Sequence, residues 1–196
     1  MSPKGIVAEC LGKGLEIIAI CDHNSAENVG AVIKAGAKEG LYVLPGMEIN
    51  SREEVHTIAI FDNEEQAMAM QEIVYENIKG TNRPEIFGDQ VVANELDEVE
   101  GFNDRMLIGA VQLSLENIVG EVHNLGGLSI ASHVDRPSYS ITSQLGFIPP
   151  GLELDALEIA NPRDIPAAVN SVLKESKLPV ITSSDDHFVR DRKSVV

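Results

Sequence analysis

Residues 16–23 read EIIAICDH, and the interpretation of the whole chain starts there. Ile17, Ile18, Ala19 and Ile20 form a run too apolar for a half-exposed strand. Such a run fits a strand buried on both faces of a parallel sheet. It ends in Asp22 and His23, and in parallel α/β folds the functional crevice lies at the carboxyl ends of strands. Upstream, Ser2-Pro3 reads as a helix cap and first helical position, with Ile6, Val7, Leu11 and Leu15 following at helical spacing.

Downstream the alternation continues. Residues 25–39 predict a helix capped by Ser25 and stopped at Gly40. Leu41–Leu44 and Val55–Phe61 predict strands, and residues 63–79 a helix with an acidic first turn suited to its dipole. Residues 81–106 turn polar and read as an insertion or excursion, with Val91–Ala93 a short strand inside it. Helix at 114–124, strands at 128–132 and 156–160, helix at 164–176 and strand at 179–182 complete the pattern. Strands separated by helices of this size predict a parallel α/β sheet or barrel. A single domain over 1–196 is expected, and an architecture that opens on a helix and closes on a strand is expected to be clipped at both ends.

The 196 residues can bury a core of their own. The formal charge of -16, from 31 acidic and 15 basic residues, argues against non-specific binding to polyanions, although a bound cation that inverts the local field would still admit a small phosphate. Two cysteines, Cys10 and Cys21, exclude a disulfide-built scaffold and read as core thiols. No apolar run approaches a membrane span, and the N-terminus lacks a signal-peptide pattern, so a cytoplasmic protein is expected. Gly12-x-Gly14 precedes a strand instead of following one, which fails the context of a dinucleotide fingerprint.

Four of the five histidines sit beside apolar runs: His23, His56, His133 and His187. Three of these end their runs, while His56 opens one. The eight-position offset from Glu48 to His56 is too short for a helical crossover, so their strands should pair antiparallel. A turn centred on Arg52 would set Glu48 and His56 directly opposite, close enough to chelate one ion. Asp185 and His187, two apart, would face the same side of an extended segment. Asp22 and His23 point to opposite faces, so His23 is the expected ligand and Asp22 an orienting neighbour. His123 reads as a partly solvated helix residue. Arg136, in HVDRPSYS, is open to two readings: a phosphate clamp, or a surface arginine fixed by the following proline.

Taken in order, ICDHNSAEN, PGMEI with EVH, ASHVDRPS and SSDDH resemble the motifs of the PHP phosphoesterases, the polymerase and histidinol phosphatase superfamily. The resemblance implies a distorted (β/α)7, TIM-like barrel holding two or three divalent ions (Mn, Zn or Fe). It implies Glu48 as a metal-bridging carboxylate and His56 and His133 as completing one ion with it. His23, Asp185 and His187 are implied as further ligands. The family's opening strand with His-x-His is absent, so the barrel is expected to lack its first strand.

The implied activity is hydrolysis of a small phosphomonoester or nucleotide phosphate by metal-activated water, with Arg136 adding charge at the phosphoryl group. The charge of -16 and the lack of tryptophan lead to an expectation of a small phosphorylated substrate, with no long nucleic acid and no membrane as partner. Two alternatives share these residues: a truncated or degenerate metal-binding module without turnover, and an amidohydrolase-like barrel.

Overall fold

Six strands hydrogen-bond side by side in a curled mixed sheet, in the order β1-β2-β3-β6-β7-β8. The computed structural model describes residues 1–183. The strands are β1 (Ile17–Ile20), β2 (Tyr42–Asn50), β3 (His56–Ile60), β6 (Leu128–Ala131), β7 (Ala156–Ile159) and β8 (Val180–Thr182). β1 and β2 are parallel, β3 runs antiparallel to both β2 and β6, and β7 and β8 continue parallel to β6. The sheet is therefore not the all-parallel one that helix–strand alternation alone suggests. The short link between β2 and β3 reverses one strand, as its length requires.

The helices cover one face. α1 (Pro3–Gly12) and α2 (Val29–Glu39) pack Val7, Val32 and Ala35 against Leu41 and Val43. α3 (Glu64–Asn77) and α5 (Leu115–Asn124) bring Met70, Val74, Ile118 and Val122 onto Met47, Ile49, Ala59 and Phe61. Leu115 and Val119 of α5 also meet Ala131 and Leu157. Strand alternation places Met47, Ile49, Ala59 and Leu157 on this outer side. Glu48, Asn50, His56, Ile58 and Glu158 therefore face the concave inner side.

The helix ends follow from local chemistry. Ser2 Oγ accepts from Gly5 N, and Ser114 Oγ accepts from Asn117 N. Asn63 and Gln66 form a reciprocal capping box at α3. Ser25 does not cap α2: that helix begins at Val29 after Asn28, which makes no side-chain cap bond. Ser25 Oγ instead lies 3.4 Å from Gln71 Oε1 and 3.0 Å from the Tyr75 hydroxyl.

Between α3 and α5 the chain leaves the main sheet. It forms α4 (Pro84–Phe87) and a two-stranded antiparallel ribbon, β4 (Val91–Ala93) with β5 (Val99–Phe102). The ribbon is tied to α1 and α2. Asp97 accepts from Lys4 N and Ser2 Oγ, while Asn28 bonds the backbone of Val91 and Ala93. β5 is too polar for periodicity to reveal.

β1 departs from its predicted burial. Among the described residues it pairs with β2 alone, and Ile17 is 60% exposed. Its outer face packs against α1 and α2 through Ile18 and Ile20, whereas its inner face opens on a cavity of about 870 Å³. Ile181 and Ser183, at the other edge of the sheet, line the same cavity. Two sheet edges that are unpaired among the described residues face one space, which accounts for the exposure of so apolar a strand.

Candidate metal centre

The polar end of that cavity carries Asp22, His23, Glu48 and Glu158. β2 supplies the central residue. It is long enough to pair with β1 through its first half and with β3 through its second, so Glu48 reaches the middle of the concave face. Past the end of β1, His23 forms an isolated bridge with Glu48. Asn24 N donates to the Glu48 carbonyl, and Glu48 N donates to the Asp22 carbonyl.

The observed register differs from a turn centred on Arg52. Glu48 lies opposite Ile58, and His56 opposite Asn50, so the turn centres on Glu53. Glu53 explains the choice: its carboxylate accepts from Leu115 N at the start of α5, which pulls the turn onto that helix. Glu48 and His56 nevertheless stay on one face as diagonal neighbours, a separation that long side chains span.

The side chains converge tightly. His56 Nδ1 lies 3.1 Å from Glu48 Oε1, His133 Nε2 lies 3.4 Å from the same oxygen, and the two nitrogens are 3.2 Å apart. His23 Nδ1 approaches the other carboxylate oxygen, Oε2, at 3.3 Å. Glu48 and His133 are buried, while His23, with 31% of its side chain exposed, is the solvent-facing member. His23, Glu48 and His56 form a group whose ligand atoms all fall within 4.8 Å of one another.

Burial alone would raise the Glu48 carboxyl, but hydrogen bonds from His133 and His56 and the charges of His23 and His56 outweigh it. The group is held well below the usual carboxylate range, so it is an anion at neutral pH. The Cys21 thiol is pushed far up by desolvation, then by Glu48, Asp22 and Glu158, and stays neutral.

His133 has φ 29°, a left-handed conformation that costs a non-glycine residue of order 1–3 kcal/mol. Its loop is pinned on several sides. Asp135 accepts from Ala160 N and Asn161 N, and Arg136 N donates to the His133 carbonyl. Tyr139 stacks on the His56 ring at 4.8 Å between centroids, and its carbonyl accepts from His56 N. Arg136 thus sits in the loop that carries His133, three residues from it. His123 stands apart from the centre, bonded through Nε2 to Asp155 at 2.8 Å.

Of the six metal ligands expected from the sequence, His23, Glu48, His56 and His133 come together. Asp185 and His187 lie outside the described residues. Asp22 also lines the cavity. Sequence reasoning missed three buried residues. Asn24 donates through Nδ2 to the carbonyls of Leu107 and Gly109 while its Oδ1 accepts from Asn50 N. Ser132 Oγ touches both Glu48 and Glu158, and Glu158, 1% exposed, is a buried acid on β7. The available signal for Glu158 was one acidic residue inside the apolar run 156–160.

The donor set suits a divalent ion. Ligand atoms about 2.0–2.2 Å from a tetrahedral ion stand about 3.3–3.6 Å apart. The Glu48–His56–His133 triangle is close to that spacing before any ion is considered. Mixed imidazole and carboxylate donors are a ligand set that several divalent metals accept.

No protein-family model and no curated protein matches the chain. Solved structures do resemble it. A candidate metal-dependent phosphoesterase from Bifidobacterium adolescentis aligns with a TM-score of 0.60 at 17% identity, over 95% of this chain and 82% of that one. The lesion-specific endonuclease Q from Pyrococcus furiosus aligns at 0.58 and 16% identity, and an amidohydrolase from Chromobacterium violaceum at 0.58 and 14%. Each of the two alignments covers 95% of this chain; it spans 43% of the endonuclease and 82% of the amidohydrolase. At these identities the likeness is one of fold: a curled α/β sheet of the partial TIM-like kind.

The expectation of no long nucleic acid as partner is corrected by these structures of similar fold. An endonuclease Q of similar fold (TM-score 0.57, 16% identity, over 93% of this chain and 43% of that one) has been solved with a 27-mer duplex whose abasic lesion lies at the active site. A fold of this kind therefore can take long nucleic acid, and the charge of -16 is not ground enough to exclude it for this chain. Net charge sums the whole surface, whereas binding answers to the local field, which a bound cation can reverse.

Proposed function

We propose that the chain is a metal-dependent phosphoester hydrolase of the PHP type, with the curled sheet forming most of a distorted (β/α)7 barrel. The observation that carries this reading is the convergence of Glu48, His56 and His133 within 3.1–3.4 Å, with His23 on the second carboxylate oxygen. In this reading these four residues would hold divalent ions, Glu48 presenting one carboxylate oxygen to His56 and His133 and the other to His23. Asp185 and His187 add ligands from the segment after β8. Bound there, such ions supply positive charge for phosphoryl oxygens and lower the pKa of a coordinated water.

The chain's own residues do the rest. Glu48, kept ionised by its histidines, contributes the negative charge that retains cations in an acidic cavity. Ser132 and the backbone of Asn24 hold Glu48 in place. Tyr139 backs His56 and restricts its ring, and Asp22 borders His23 at the cavity wall. Arg136, on the loop that carries His133, is assigned to the substrate phosphoryl group. The relatives' names extend the candidate substrates from small phosphate esters to the phosphodiester of a damaged duplex.

The test is hydrolysis by the full chain loaded with Mn²⁺ or Zn²⁺, assayed on p-nitrophenyl phosphate, nucleotide monophosphates and an abasic duplex. Turnover that EDTA abolishes and that Glu48→Gln reduces to the EDTA level is the expected result. Unchanged turnover in Glu48→Gln refutes the assignment. Metal binding without hydrolysis of any of the three would instead mark a binding module.

A further inference from the structure

We infer that Glu158 is a positioning residue, which fixes the backbone of residues 132–134 so that the His133 ring is held against Glu48 and His56. The inference rests on the metal reading for its consequence, though not for its geometry. Ligating histidines are ordinarily oriented through their second ring nitrogen, which donates to a carboxylate or carbonyl. His133 lacks that support: its Nδ1 is buried with no hydrogen-bond partner among the described residues. The ring's position therefore depends on the backbone that carries it, and that backbone is in the left-handed region at φ 29°. Something must hold it there.

Glu158 is placed to do so from the neighbouring strand. Its Oε2 accepts from His133 N at 2.8 Å and contacts Ser132 Oγ at 3.0 Å, and its main-chain carbonyl accepts from Val134 N at 2.8 Å. Its other oxygen takes the Ser183 hydroxyl. Three consecutive residues of the loop are thus bound to one buried side chain and its own carbonyl. Ser132 Oγ also lies 2.9 Å from Glu48 Oε1, so the same contact set spans the two acids.

The required property is an acceptor at one point in space, which separates this role from a purely electrostatic one. Glu158→Gln keeps an oxygen at the Oε2 position, while its amide nitrogen can donate to Ser183. Glu158→Asp keeps the charge but withdraws the carboxylate by one C–C bond, about 1.5 Å. A positioning role predicts that Gln substitutes and Asp does not, the reverse of what charge alone predicts.

The experiment is a pair of crystal structures of the metal-free variants together with Co²⁺ binding isotherms on the full chain. Glu158→Gln is expected to keep residue 133 at positive φ, with Nε2 still beside His56 Nδ1, and to bind Co²⁺ within about threefold of wild type. Glu158→Asp is expected to displace the ring and weaken Co²⁺ binding about 10- to 100-fold, the range seen when such supporting partners are lost. An undisturbed His133 in Glu158→Asp, or equal displacement in both variants, overturns the assignment. Wild-type protein that takes up no Co²⁺ would dispose of the metal reading, and the two crystal structures would still decide the role of Glu158.

Discussion

Replacing Gly46 by alanine tests how closely the sheet is packed around Glu48. Gly46 lies on β2 two residues before Glu48, where the strand passes between β1 and β3. A Cβ built there falls 2.6 Å from Cys21 Sγ, 2.8 Å from the Ala59 carbonyl oxygen and 3.2 Å from the Ile20 carbonyl oxygen. The thiol could rotate away, but the Ala59 oxygen belongs to β3, so the whole strand must shift by several tenths of an ångström. Overpacking of this kind costs about 1–3 kcal/mol. Loss of glycine's freedom in the unfolded chain returns about 0.4–1 kcal/mol. The net expectation is a destabilisation of about 1–2 kcal/mol, which for a chain of this length lowers Tm by about 2–8 °C. The strand shift should also move Glu48 relative to His56 on β3, so Co²⁺ affinity should fall together with stability. Urea unfolding and metal titration of Gly46→Ala read both effects. Gly101→Ala, where nothing lies within 4 Å of the added carbon, is the control. A Gly46→Ala protein that unfolds at the wild-type urea concentration would show that this packing argument is mistaken.

Three further outcomes are expected. Zn²⁺ or Mn²⁺ at about 100 times its Kd should stabilise the folded chain by about 2.7 kcal/mol and raise Tm by about 5–10 °C, reversibly with EDTA. His56→Ala should lose most of that shift in a thermal melt; an unchanged shift would remove His56 from the centre. Glu53 is the pH-sensitive anchor of the β2–β3 turn. Partial burial raises its carboxyl, but its own backbone amide, Leu115 N, Ser51 and Arg52 more than compensate and hold it below its ordinary value. A carboxyl lowered on folding contributes stability that is complete above its unfolded pKa of about 4.3 and is lost as pH falls through the folded value. Glu53→Gln should therefore cost about 0.5–1 kcal/mol at pH 7, with the gap to wild type closing at acid pH; a gap independent of pH in urea titrations would contradict this.

Much of the candidate site was legible because its signals are local. Apolar runs ending in His23 and His133 marked strand ends, and a separation of eight positions between Glu48 and His56 left room only for a reversal. The register was not legible. The turn SREE has no glycine or proline to set its centre, and the deciding contact, Glu53 to Leu115 N, spans 62 residues. Burial of β1 was misjudged for a related reason: composition reports how apolar a strand is, whereas exposure depends on which strands flank it. Glu158 and Ser132 escaped notice because a lone acid or hydroxyl in a strand looks like a solvent-facing position until the opposite wall of the sheet is known.

From residue order alone came the alternation of helices and strands, the capping at Ser2, and the candidate cation ligands His23, Glu48, His56 and His133. These depend on interactions within a few positions of one another, which a linear reading contains. Tertiary structure alone decided that His23, Glu48, His56 and His133 share one space, that β3 runs backwards through an otherwise parallel sheet, and that Glu158 braces the loop carrying His133. Each of these is a contact between segments tens of residues apart. Curling the sheet brings such segments together, and no local propensity encodes that curvature.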